Sequence, residues 1–130
     1  IRIAGNIVNV DIIGSLEFAC KAAGSKLIVV LGHTNCGAIK GACDEAELGY
    51  LTQLLEKIKP AIHQEKTFKE NRNGNNLAYV NEVAKINIKN SINNILNKSS
   101  IIKELKDQKI INIVGGLYDV SSGEVIFFEE

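Results

Sequence analysis

Apolar positions fall into two kinds of run along this chain. Lys26-Leu27-Ile28-Val29-Val30-Leu31 is almost continuously apolar and rich in β-branched residues. That is the pattern of a strand covered on both faces, which sits centrally in a parallel sheet. Lys109 to Val114 repeats the pattern and predicts the next buried strand. Elsewhere apolar residues recur every three or four positions. Leu16, Ala19, Cys20 and Ala23 predict a helix with Ser15 at its N-cap and Gly24 ending it. Cys20 then faces the core as a small apolar side chain. Leu48, Leu51, Leu54, Leu55, Ile58 and Ile62 predict an amphipathic helix over 47–64, kinked or interrupted by Pro60, with His63 as a surface charge near its end. Leu77, Val80, Val83, Ala84, Ile88, Ile92, Ile95 and Leu96 mark a long helix whose asparagine-rich opposite face is solvated or paired. Between these two helices, 66–76 is polar and turn-rich and reads as a loop. Ser99-Ser100 caps a short helix running through Leu105.

The two ends carry turn chemistry. Residues 1–6 read as the end of a strand entering a glycine turn, where Gly5 allows a positive φ or a close backbone approach. Gly115-Gly116 turns the chain into 117–120, and Ser121-Ser122-Gly123 makes a hairpin into Val125-Ile126-Phe127-Phe128. Phosphate binding at this glycine pair is rejected, because no Gly-x-Gly-x-x-Gly and no Walker lysine follows and the next element is a strand. A terminal strand bearing Phe127 and Phe128 exposes an edge that pairing with another subunit would cover. The expected fold is α/β: a central, mainly parallel sheet flanked by helices, with a C-terminal antiparallel hairpin, in one domain over 1–130.

Composition narrows the function. With 130 residues, 45% hydrophobic and 23% charged, the chain suits one globular domain with a sizeable core. Lys plus Arg equals Asp plus Glu at 15 each, which leaves no electrostatic case for nucleic acid or an acidic membrane surface. No apolar run approaches the roughly 20 residues of a membrane helix. Cys20, Cys36 and Cys43 are odd in number and lack small-scaffold spacing, which argues against a disulfide framework and for a reducing compartment, the cytoplasm.

The chemistry concentrates in Gly32-His33-Thr34-Asn35-Cys36-Gly37. Gly32 permits a tight exit from the first strand, and a helix starts near Cys36 and runs over 38–46. Ligands of open α/β sheets bind at the carboxyl ends of strands, where His33 and Cys36 fall. Imidazole with thiolate favours zinc. The positive end of a helix favours the thiolate, as a ligand or as a nucleophile. On spacing alone the same pair reads equally as a buried cysteine and a capping histidine, because mononuclear zinc takes three or four ligands. Cys43 lies about two helical turns beyond Cys36, roughly 10 Å, too far to share the ion.

The order of motifs changes that balance. Arg2-Ile3-Ala4-Gly5-Asn6, then Ser15-Leu16-Glu17-Phe18-Ala19, then Gly32-His33-Thr34-Asn35-Cys36-Gly37-Ala38 resembles the β-class carbonic anhydrases. Those enzymes carry Arg-Asn-Ala-Gly-Asn, Ser-Leu-Glu-Tyr-Ala and Gly-His-Ser-x-Cys-Gly-Gly, so Ile3 and Ala38 are departures. Gly115 to Val125 resembles the last hairpin of that family. The resemblance implies reversible hydration of carbon dioxide to bicarbonate and a proton, with zinc as cofactor, His33 and Cys36 as metal ligands, and the Gly37 backbone N–H donating to a substrate oxygen. It also implies a homodimer or a higher assembly of dimers, and for Arg2 a structural or near-site role. A further family motif, Cys-x-Asp-x-Arg, supplies the remaining protein ligand and has no counterpart here. The chain is therefore expected to be N-terminally incomplete and, taken alone, to have little hydratase activity. The sequence leaves two alternatives. One is a catalytically incompetent binding or regulatory domain of the same fold. The other is thiol chemistry at Cys36, which the lack of a nearby resolving cysteine disfavours.

Overall fold

The computed structural model describes residues 1–128. Residues 4–6 form a 3-10 turn, followed by α1 (Val10–Glu17), which continues into a π-helical turn over Phe18–Ala22. Strand β1 (Leu27–His33) leads to α2 (Gly37–Cys43), α3 (Gly49–Glu56), α4 (Lys59–Gln64), the long α5 (Leu77–Lys98) and α6 (Ser100–Asp107). Strands β2 (Asn112–Tyr118) and β3 (Val125–Phe127) close the order. One sheet joins them as β1-β2-β3. β1 and β2 are parallel, with Leu27 opposite Asn112 and His33 opposite Tyr118. β2 and β3 are antiparallel, with Gly116 opposite Phe127. This is the expected α/β arrangement, with α5 lying on β1 and β2.

The position of β1 differs from expectation. Ile28 and Val30 are buried, whereas Leu27, Val29 and Leu31 are 52%, 43% and 44% exposed, and β1 lies at one end of the strand order among the described residues. The strand is thus covered on one face only. A continuous apolar run does not reveal which of its two faces finds a partner, since successive side chains point to opposite sides whatever their chemistry.

The glycines also act differently. Gly115 and Gly116 lie inside β2 rather than at a turn, so the strand begins and ends later than the 109–114 reading. Gly32 lies within β1. A Cβ on Gly32 would sit 2.6 Å from Ile88 Cδ1, and one on Gly115 would sit 2.9 Å from Ile88 Cγ2. Both residues let α5 descend onto the sheet at Ile88, which is 1% exposed. Close helix approach, rather than a tight exit, is what Gly32 provides.

Helix ends follow capping chemistry. Asn9, not Ser15, caps α1: its Oδ1 accepts from the Ile12 N–H at 3.0 Å. Ser15 sits within the helix, its hydroxyl donating back to the Asp11 carbonyl at 2.8 Å, as serines inside helices do. Gly24 follows the π-turn with φ +80°, and Cys20 is buried, both as expected. The 47–64 run is interrupted as foreseen, giving α3 and α4 with Pro60 in the first turn of α4. His63 is exposed near its end. Ser99 caps α6, accepting from the Ile102 N–H at 3.1 Å while donating to Glu17 Oε1 at 2.6 Å. Residues 1–3 form no strand, but Gly5 has the anticipated positive φ, +69°.

Candidate metal centre

His33 is the last residue of β1 and is exposed. Its Nδ1–H donates to the Thr34 carbonyl at 2.8 Å. A carbonyl only accepts, so Nδ1 carries a proton, and the neutral tautomer compatible with this bond has its lone pair at Nε2. Cys36 is the N-cap of α2, 7% exposed and among the core side chains, with a free thiol. The helix begins at Gly37 as the sequence predicts, and ends at Cys43 instead of 46.

Two residues join the candidate ligands, and both are tied to distant elements. The Thr34 N–H donates to the Tyr118 carbonyl at 2.9 Å, and the Val120 N–H donates to Thr34 Oγ1 at 3.1 Å. Asn35 is left-handed at φ +54°, and its N–H donates to Asn81 Oδ1 of α5 at 3.1 Å. The turn is therefore fixed from the β2–β3 side and from α5. Gly37 is exposed, and a Cβ there would meet nothing within 4 Å, so packing does not demand glycine.

His33 lines a cleft of about 450 Å³ together with Arg2, Asn6, Tyr118 and Val120. This places Arg2 beside the candidate site. The 4–6 turn, whose Asn6 lines this cleft, is held from α5, where Asn87 Nδ2 donates to the Gly5 carbonyl at 2.7 Å and Ser91 Oγ donates to the Asn6 carbonyl at 3.0 Å. Asn6 Nδ2 in turn donates to the Leu31 carbonyl of β1 at 3.0 Å. Gly5 is obligatory here, because its φ is left-handed and a Cβ would sit 2.6 Å from Ile58 Cδ1. The asparagine-rich face of α5 is thus partly paired. Its signal in the sequence was the poor helix former Asn in mid-helix, which points to a side chain with another task.

A second polar cluster lies under the 66–76 loop and was not foreseen. Glu65 is 2% exposed and accepts from the Thr67 hydroxyl and N–H, the Phe68 N–H and Arg72 Nη1. Burial by itself raises its carboxyl, but these donors from Thr67, Phe68 and Arg72 outweigh it and hold the group below the ordinary carboxylate range. The Arg72 guanidinium stacks 4.9 Å above the Tyr79 ring. Burial, with Cys43 beside it, pushes the Tyr79 phenol up to about 12. Burial likewise pushes the Cys43 and Cys20 thiols up, which suits structural rather than reactive cysteines.

A strand-end imidazole with a free ring nitrogen and a thiol at the following helix start suit zinc. They fit it as two of its ligands. Among the described residues, no set of three or more His, Cys, Asp or Glu stands close enough to hold a metal ion.

Fold and turn define an α/β protein with a His-x-x-Cys turn at the carboxyl end of a parallel strand. The carbonic anhydrase family model matches residues 1–125, and the chain belongs to that family. It is 28% identical over 131 residues to carbonic anhydrase 2 of Mycobacterium tuberculosis, an alignment covering 97% of this chain and 60% of the relative. The β-carbonic anhydrase CafA of Aspergillus fumigatus superposes with a TM-score of 0.83 at 22% identity, over 99% of this chain and 62% of that one. Tetrameric β-carbonic anhydrase of Sordaria macrospora gives 0.79 at 22% identity, over 97% and 65%. The fold is that of the β class, and the chain spans about 60% of the length of the curated relative from M. tuberculosis.

Proposed function

We propose that this chain forms a single β-carbonic anhydrase domain acting in the reversible hydration of carbon dioxide to bicarbonate and a proton. In this reading His33 and Cys36 are zinc ligands, and the remaining ligand comes from outside the described residues. The observation that carries it is the His33 Nδ1–H bond to the Thr34 carbonyl. It orients the ring and leaves Nε2 as the donor, the outer-shell arrangement typical of ligating histidines. When bound, zinc supplies the Lewis acidity that makes water a nucleophile at neutral pH. The chain's own residues do the rest. Asn6 and Tyr118 wall the cleft, and Arg2 places a permanent positive charge in it, attracting an anionic product. The Gly37 N–H, directly after Cys36, donates to an oxygen of substrate or product.

Two donors hold zinc weakly, so the described residues alone have little hydratase activity. The protein works as a homodimer or a higher assembly of dimers. The exposed apolar face of Val29, Leu31 and Phe127 supports this, as does the tetrameric relative. A cytoplasmic location agrees with three free cysteines, and no described helix is long and apolar enough to cross a membrane.

The test is elemental analysis of the full-length native protein beside its His33→Ala and Cys36→Ser variants. About one zinc per chain is expected in the parent and a loss of it in both variants. A native protein without zinc overturns the reading and leaves a carbonic anhydrase fold used as a binding or regulatory domain.

A further inference from the structure

The turn that carries His33 and Cys36 contains a left-handed, non-glycine residue, Asn35 at φ +54°, a backbone state that persists only where its surroundings impose it. The restraints on Thr34 come from Tyr118 and Val120 backbone groups, so they act on the strand side of the turn. On the Cys36 side, besides the Lys40 N–H that bonds the Cys36 carbonyl within α2, the restraint from another element is a side chain, Asn81, whose Oδ1 accepts the Asn35 N–H from 46 residues away in sequence. Asn81 stands on a firmly seated stretch of α5, flanked by Tyr79, Val80, Val83 and Ala84, none of them more than 4% exposed.

We infer that Asn81 is a positioning residue: by holding the Asn35 amide it keeps the left-handed turn closed, and so keeps the Cys36 thiol at its buried place at the start of α2. Sites are most precise when their loops are tied to rigid elements in this way. The inference rests on the reading of Cys36 as a ligand only for its functional meaning. The geometric claim stands on the turn alone.

Asn81 acts purely as an acceptor, which sets the variants. Asn81→Asp retains an acceptor oxygen, and Asn81→Ala removes it. The first measurement is the alkylation rate of each cysteine by iodoacetamide, resolved by peptide mass, with buried Cys20 as internal control. Asn81→Ala is expected to raise the Cys36 rate about fivefold to tenfold over Cys20, the change in local opening when one net hydrogen bond is lost. Asn81→Asp should stay within about twofold of the parent, since it still accepts the amide. Equal acceleration of all cysteines would show a role in general stability and overturn the inference. So would an unchanged Cys36 rate in Asn81→Ala, or an Asn81→Asp rate matching it. The second measurement is a cobalt(II) titration of the full-length protein followed by thiolate-to-metal absorption. Asn81→Ala is expected to need about tenfold more cobalt than the parent, as loss of an outer-shell partner typically requires, and an unshifted titration counts against the inference. A parent with no such absorption refutes the zinc reading, while the alkylation rates still decide what Asn81 does.

Discussion

Glu65 is the most buried carboxylate described, and its partner Arg72 is 31% exposed, so the pair lies at the boundary between core and loop. Its folded carboxyl is held low by Thr67, Phe68 and Arg72 against the opposing effect of burial. A depressed folded value contributes stability above the unfolded carboxylate pKa of about 4.3, and that contribution is lost as pH falls through the lower folded value. Glu65→Gln should therefore destabilise the chain by about 2–3 kcal/mol at pH 7. Thermal melts from pH 7 downward should show parent and variant converging in acid. A gap independent of pH would mean that the charge is not what matters. Asn87 makes a second residue-scale prediction. Asn87→Ala leaves the Gly5 carbonyl without its donor, at a cost of about 1–3 kcal/mol. Amide hydrogen exchange should then quicken across residues 3–8 before it does in β1.

Among the elements, capping and close approach are separable by substitution. Asn9→Ala removes the α1 cap and should cost about 1 kcal/mol in chemical denaturation. Ser15→Ala should be neutral within about 0.5 kcal/mol, because Ser15 is not the cap and Ala is the better helix former. The reverse ranking would restore the N-cap at Ser15. Gly32→Ala drives a methyl into Ile88 and should cost about 1–3 kcal/mol, measurable in the same experiment. Gly37 offers a cleaner test of function. Proline is well tolerated as the first helical residue, and Cys36 already has the extended backbone that proline requires before it, φ −75° and ψ 120°. Gly37→Pro thus deletes little besides the N–H. Under the proposed function, Gly37→Pro should lower carbon dioxide hydration by the full-length protein on the order of 10²-fold without changing zinc content, and Gly37→Ala should leave it intact. Equal activity in both variants removes Gly37 from the mechanism.

For the whole molecule, the outer face of the sheet is the prominent feature. Leu31 and Phe127 meet across Gly116, a Cβ on which would lie 3.3 Å from each of them, and they are 44% and 57% exposed. Such a face is a recognised interaction surface. Val29→Lys combined with Phe127→Lys should keep the chain monomeric in sedimentation while its melting temperature stays put. A parent that is itself monomeric at every concentration would refute self-association through this face. Much of this architecture was legible locally. Periodicity marked α5, the interruption at Pro60, the Ser99 cap and the final hairpin, because these depend on residues within a turn or two of one another. The spacing of His33 and Cys36 at a strand-to-helix junction was legible for the same reason. Other features were not. That β1 is covered on one face, that Gly32 and Gly115 yield to Ile88, that Asn87 and Ser91 hold the 4–6 turn, and that Glu65 is buried with Arg72 all depend on groups brought together across the chain. The sequence by itself determined the kind and order of the elements from β1 to α6 and how far apart His33 and Cys36 lie along the backbone. Only the tertiary structure decided which face of each element is covered and which polar groups find partners. Burial and hydrogen bonding are properties of neighbours in space, and folding chooses those neighbours from positions as far apart as Gly5 and Asn87.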